Sequence, residues 1–223
     1  SGRLGVLDAS ECPPTFCSDP AQVVGIIAGG DGALRRSSEG REDEWEGIAP
    51  EFERLALGAR DCFLGIAAGG TTPYALGGVE LAKKRGAATG FLTCAPSAQP
   101  RMCDHLIVLE TGAEILTGST RLKAGTATKI ALNAITTAMF VRLGKTHGHL
   151  MVDLAATNDK LVDRALRIYR EFFPGDSRES AHAQLLAAGG MLKVALVMRA
   201  RGVDRTQAEL LLAANGGELR RVI

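Results

Sequence analysis

Three stretches of this chain set glycine beside serine or threonine just ahead of a helical pattern. They are Ser1-Gly2-Arg3, Gly69-Gly70-Thr71-Thr72-Pro73, and Gly118-Ser119-Thr120 followed by Arg121 and Lys123. Small residues let backbone N–H groups approach an anion, hydroxyls add donors, and a helix N-terminus adds partial positive charge. A phosphate monoester suits such a set, and Arg121 and Lys123 add two cations. Any one stretch alone reads as a tight turn or an N-cap. Three at the same end of one sheet shift the balance toward a phosphorylated ligand. The candidate binding residues are therefore Ser1, Gly2, Gly69, Gly70, Thr71, Thr72, Ser119, Thr120 and Lys123.

Carboxylates can supply acid–base chemistry, but 25 Asp and Glu dilute that signal. Glu11 stands out because Cys12, Pro13 and Pro14 follow it, and proline fixes the local backbone. Glu42 lies in the charged run 39–46, which starts at Glu39 beyond the glycine turn Gly29-Gly30-Asp31-Gly32. The ordinary reading of that run is a solvated helix start, and spacing alone ranks neither glutamate as catalytic. Thiols and imidazoles offer no metal set. The five cysteines (Cys12, Cys17, Cys62, Cys94, Cys103) contain no C-x-x-C pair and no disulfide framework, so reduced thiols are expected. His147 and His149 are two apart, the spacing of opposite strand faces.

The elements that must position these residues read as an α/β layer. Val23–Ala28, Cys62–Ala67, Gly90–Cys94 and His105–Leu109 are short, continuous apolar runs, the pattern of parallel strands buried on both faces. Ligands of such a sheet sit beyond the carboxyl ends of the strands. Helices are predicted over Pro73–Lys84, within Glu42–Leu57, and over Arg121–Arg142. The last is apolar nearly all round, which predicts a buried helix, at a subunit interface for instance. Its stripe Ile130, Ala134, Ala138, Val141 is set off from Leu132, Ile135 and Phe140. The tail is all helical: Asn158–Phe172, Ser177–Ala188, Met191–Ala200 and Gln207–Ala214, with capping boxes read at Asp176-x-x-Glu179 and Thr206-x-x-Glu209. No strand signal remains after about Leu109.

Composition narrows the function classes. The 223 residues are 46% hydrophobic with a net charge of +1, which argues against nucleic acid or an anionic membrane as the main partner. No secretory signal and no membrane-length apolar run is visible.

Longer motifs carry a resemblance. The run 1–16, with Ser10-Glu11-Cys12-Pro13-Pro14 in it, is similar to the signature of bacterial N-acetylmuramic acid 6-phosphate etherases. The similarity continues in Gly25–Gly30, Arg41-Glu42-Asp43, Thr117–Ala127, Leu143-Gly144-Lys145, Leu150–Asp153, Ala156–Leu161 and around Ala188-Gly189-Gly190. It implies a doubly wound parallel sheet of the sugar-isomerase (SIS) type over 1–173 and a small helical, UBA-like bundle over 174–223. It also implies a cytoplasmic homodimer with no metal or organic cofactor. The implied reaction cleaves the D-lactyl ether of N-acetylmuramic acid 6-phosphate to N-acetylglucosamine 6-phosphate and D-lactate, in cell-wall amino-sugar recycling. The resemblance puts the two catalytic glutamates on Glu11 and Glu42, with Glu42 as base and Glu11 as acid. Such an acid must hold its proton, which burial or a neighbouring carboxylate favours. Glu114 matches a position near the ligand, beside its alternative role of capping or turn structure.

The chain departs from the family after the second run, where Ala-Ser-Gly-Arg-Thr-Pro is usual and Ala68-Gly69-Gly70-Thr71-Thr72-Pro73 stands here. The resemblance also places a strand, a Gly-x-Gly-Thr turn and a helical arm ahead of Ser1, so the chain is expected to be a fragment. Two rival readings are a non-catalytic sugar-phosphate regulator similar to the glucokinase regulator, and an aldose–ketose isomerase.

Overall fold

The computed structural model describes residues 1–98 and 100–223, with Glu39 described by its backbone alone. The Glu39 side chain, at the head of the acidic run, lies outside the described residues. The chain divides into two compact units: Ser1–Ser10 with Val23–Ala134, and Glu11–Gln22 with Ile135–Ile223.

The first unit is a parallel α/β layer. Strands β1 (Cys62–Ile66), β2 (Ala88–Thr93) and β3 (His105–Val108) form one sheet in the order β1-β2-β3. Both pairings are parallel, with Cys62 opposite Ala88 and Gly90 opposite His105. Four strands were expected and three form. Val23–Ala28 joins no ladder among the described residues, because an apolar run becomes a strand only where a neighbour accepts its backbone hydrogen bonds. Helix α4 (Pro73–Lys84) follows β1 as the sequence predicts, with Pro73 at its first turn. It covers the sheet through Val79, which packs with Ala67, Ala75, Phe91 and Ala98. A second cluster joins Ile48, Phe52, Ala82 and Ala87; Phe52 belongs to α3 (Ala49–Arg54), the helix predicted within the charged segment.

Helix α1 (Gly2–Phe16) is the largest departure from the sequence reading, which took Ser1–Arg3 as a loop. Pro13 and Pro14 lie inside it. They remove two backbone donors, but only in its last turn, and the chain leaves the helix at Cys17 with φ of +48°. Helix α2 (Gly32–Arg35) and a 3₁₀ turn (Glu39–Arg41) follow the glycine turn.

Helix α5 (Lys123–Arg142) forms where the sequence predicts it. Leu132 and Phe140 are buried, while the stripe Ile130, Ala134, Ala138 and Val141 is exposed, Ile130 at 64%. A helix apolar all round therefore buries one side here and leaves the other open.

The second unit contains α6 (Asp159–Phe172), α7 (Arg178–Ala187), α8 (Leu192–Arg201) and α9 (Arg205–Ala214), matching the four helices read from the tail. Their core gathers Leu166, Tyr169, Leu185, Leu192, Leu196 and Leu212. The caps shift from the predicted boxes. Ser177 accepts from the Ser180 N–H and Asp204 from the Gln207 N–H, while Thr206 lies inside α9. Asp176 instead accepts from the Tyr169 hydroxyl and the Arg199 guanidinium, and these hold its carboxyl below the usual carboxylate range, Arg199 most strongly. A buried lysine ties the loops of this unit. The Lys193 ammonium donates to the Gly144 and Gly217 carbonyls at 3.0 and 2.9 Å and pairs with Asp153, which Lys145 also meets. No described helix is long and apolar enough to cross a membrane.

Candidate active site

The turn after β1 is the best-formed of the predicted anion loops. The Gly70 N–H closes it onto the Ala67 carbonyl at 2.9 Å, and Gly70 holds φ of +77°. A Cβ on Gly70 would stand 2.7 Å from the Ala98 methyl, so only glycine fits there. Gly69 has the opposite surroundings, with nothing within 4 Å of a built Cβ. The space that a serine side chain would take at this position is open. Thr72 is the N-cap residue of α4, yet its hydroxyl makes no capping bond. The turn thus leads into a helix N-terminus whose threonine hydroxyl is uncommitted to it.

Glu42 is fixed beside this turn by its backbone. Its carbonyl accepts from the Tyr74 N–H at 2.9 Å, in the first turn of α4. The segment that follows lies close against the same helix: a Cβ on Gly77 would stand 1.8 Å from the Trp45 carbonyl oxygen. The bare Gly77 backbone therefore lets 42–47 seat on α4. The Glu42 side chain itself is exposed, while Arg41 turns away to pair with Glu44 at 2.6 Å.

Ser1 belongs to the same neighbourhood. Its hydroxyl accepts from the Ala68 N–H at 3.1 Å. Gly2 is a helical residue rather than a loop donor, packed so that a Cβ would meet Ile27 at 2.8 Å.

A chain of bonds runs on across the carboxyl end of the sheet. The Ala68 carbonyl accepts from the Cys94 N–H at 3.0 Å, at the end of β2. The Cys94 thiol reaches the Ala124 carbonyl at 3.7 Å, in the first turn of α5. The Ala124 N–H donates to Glu114 at 2.9 Å, and the Lys123 N–H to the other oxygen of the same carboxylate at 3.1 Å. Glu114 is thus a carboxylate cap on α5, which satisfies two of the orphan N–H groups at that helix start. Of the two roles weighed for Glu114, the capping one is visible. Those two N–H groups are already filled, so the loop after β3 offers a phosphate its side chains: Ser119, Thr120 and Lys123, whose ammonium lies 4.0 Å from a Cβ built on Gly112.

Thr93 was missed by the sequence reading. It is fully buried at the end of β2, accepts from the Ala95 N–H at 3.1 Å and donates to the Ala68 carbonyl at 3.4 Å. A threonine closing an apolar strand at a turn is the signal that marks it.

Glu11 falls in the second compact unit, on the later part of α1. Its side chain is exposed and its neighbour Cys12 is buried at 2%. Among the described residues no group of three His, Cys, Asp or Glu side chains is placed to hold a metal ion.

Comparison with known proteins agrees with the motifs. Residues 1–83 match the family described as the glucokinase regulatory protein N-terminal SIS domain. Over nearly the whole chain, similarity is to curated proteins named N-acetylmuramic acid 6-phosphate etherase. The one from Synechococcus sp. (strain CC9605) is 55% identical over 221 residues, 99% of this chain and 70% of that protein. The one from Gloeobacter violaceus (strain ATCC 29082 / PCC 7421) is 53% identical over 220 residues, 98% of this chain and 72% of that protein. The one from Prochlorococcus marinus (strain MIT 9303) is 51% identical over 224 residues, all of this chain and 71% of that protein. Identity of that order, over all but a few residues, places the chain in the N-acetylmuramic acid 6-phosphate etherase family.

Proposed function

We propose that this protein is a carbon–oxygen lyase that cleaves the D-lactyl ether of N-acetylmuramic acid 6-phosphate, releasing D-lactate and N-acetylglucosamine 6-phosphate. The observation that carries the reading is the placement of Glu42 by its own backbone at the N-terminus of α4, beside the open Gly69–Thr72 turn. A phosphate held at that turn would leave the sugar carbons within reach of the carboxylate.

The chemistry needs two groups. An alkoxide is a poor leaving group, so the lactyl oxygen must be protonated as it departs. The C2 hydrogen becomes removable once the sugar opens and C1 is an aldehyde. Glu42 takes the C2 proton, the C2–H electrons form the C2=C3 bond, and the C3–O bond breaks onto oxygen. Glu11 gives that oxygen its proton, and lactate leaves. Water then adds across C2=C3, its hydroxyl to C3 and a proton to C2, with the two carboxyl groups in reversed roles. Gly69 through Thr72, Ser119, Thr120 and Lys123 take the phosphate, with Ser1 bracing the turn and Glu114 bracing α5. No metal or organic cofactor enters.

The reading extends to a catalytic division over 1–173, a helical bundle over 174–223, and a cytoplasmic homodimer in amino-sugar recycling. The exposed stripe of α5 is the surface that supports a second copy. A second reading, a sugar-phosphate-binding regulator without catalysis, is favoured by the match of residues 1–83 to the glucokinase regulatory protein domain. Enzymatic D-lactate assay on N-acetylmuramic acid 6-phosphate separates them. Stoichiometric lactate supports the lyase. Saturable binding of the sugar phosphate with no lactate supports the regulator and sinks the lyase.

A further inference from the structure

Ile115 is 97% exposed, the most exposed large apolar side chain among the described residues, and its neighbour Leu116 is 62% exposed. Loops shed such side chains or tuck them away, because exposed aliphatic surface costs free energy in water. Here the pair is held out by two fixed points. On one side Glu114 places both carboxylate oxygens on α5 N–H groups, at 3.1 and 2.9 Å. On the other, the Ser119 N–H closes a turn onto the Leu116 carbonyl at 3.0 Å, with Gly118 at φ of +77° in the third position, as a type II turn requires. The pair is presented on a braced segment, so little ordering entropy is left to lose when something packs on it.

The surroundings say what that something is. The loop leaves the carboxyl end of β3 and carries Ser119, Thr120 and Lys123. β1 and β3 flank β2, so their ends lie only about 10 Å apart. Every other group singled out on these loops is polar or small and suits the phosphate or the hydroxyls. The substrate also has apolar parts, the N-acetyl methyl and the lactyl methyl.

We propose that Ile115, with Leu116 beside it, is a specificity-determining contact: a preformed apolar knob that packs on the methyl-bearing flank of the sugar while the polar loops hold its phosphate. This rests on the etherase reading. Three variants of the protein test it: Ile115→Ala, the double variant Ile115→Ala with Leu116→Ala, and Ile115→Leu. KM and kcat are measured for D-lactate release from N-acetylmuramic acid 6-phosphate, and Kd for N-acetylglucosamine 6-phosphate by calorimetry. Loss of one buried aliphatic contact should raise KM about tenfold in Ile115→Ala. The double variant should be weaker still, Ile115→Leu close to wild type, and kcat and Tm unchanged, since an exposed side chain supports no fold. KM unchanged in the double variant overturns the proposal. So does a change in oligomeric state with KM unchanged, which would make the pair a contact between copies. Wild-type protein that releases no lactate, but binds the product with an affinity that Ile115→Ala weakens tenfold, retains the knob and discards the etherase reading. Wild-type protein that does neither discards both.

Discussion

Glu42 and Glu11 differ in how the chain holds them, and the difference fits the roles proposed for them. The Glu42 backbone is bonded to the first turn of α4, next to the turn that suits the phosphate. A base must meet a carbon-bound hydrogen in one geometry, so the pinned residue fits that role. Glu42→Gln should cut deuterium exchange at C2 by about 10²–10⁴-fold, with product binding retained. Glu11→Gln should keep C2 exchange and lose lactate release. Nuclear magnetic resonance of the sugar phosphate recovered from D₂O reads the exchange, a D-lactate assay reads the release, and the reverse pattern would exchange the two assignments. At the same scale, Glu114 shows that a carboxylate at a helix start need not touch a ligand. Its two oxygens are occupied by the backbone of α5.

At the scale of elements, α4 positions the site from both of its sides. Val79 faces the sheet, and Gly77 faces the segment that carries Glu42. Alanine is normally the better helix residue by about 0.4–1 kcal/mol at a compatible position. At Gly77 that gain is overridden, because the new methyl would stand 1.8 Å from the Trp45 carbonyl oxygen and backbone must move. Gly77→Ala should therefore destabilise the protein by about 1–3 kcal/mol and lower lactate release although no reacting group is altered. Thermal unfolding and turnover check it together. A variant as stable and as active as wild type would show that the 42–47 segment does not depend on α4. The bond from Cys94 to Ala68 and the contact from Cys94 to Ala124 show the same logic, since they join the ends of β1, β2 and α5.

At the scale of the molecule, each unit has its own core and its own charged tie. Lys193 and Asp153 knit the helical unit. In the α/β unit, Asp104 accepts from Lys83 on α4 and from the Thr89 N–H and hydroxyl on β2. The Lys83 bond, then the Thr89 bonds, lower its carboxyl from the ordinary 3.8 to about 2. A carboxyl lowered by folding adds stability that is whole above its unfolded value and fades as pH falls through its folded one. The contribution should be complete above about pH 5 and gone by about pH 1. Acid unfolding of Asp104→Asn against wild type measures it: the two curves should converge between those values. A gap that does not narrow as pH falls through this range would refute the linkage.

The fold class, α3, α4, α5 and the four tail helices were legible in the sequence because each rests on a local signal. Apolar runs mark buried strands, Pro73 and Gly86 bracket α4, and amphipathic spacing marks α6. Caps misread by one or two positions, as at Ser177 and Asp204, reflect that several nearby polar residues can fill the role until backbone angles choose one. The family, and the choice of Glu11 and Glu42 as the proposed catalytic pair, also came from sequence, through long motifs. Tertiary structure decided what depends on distant partners. Val23–Ala28 has strand composition but joins no ladder, α1 runs through a Pro-Pro pair, and α5, apolar nearly all round in sequence, buries Leu132 and Phe140 while Ile130 and Val141 are exposed. It also decided that Glu114 caps a helix and that Glu42 is anchored by Tyr74. Side-chain chemistry and local periodicity are written residue by residue, whereas pairing, burial and anchoring exist only between residues that the folded chain brings together.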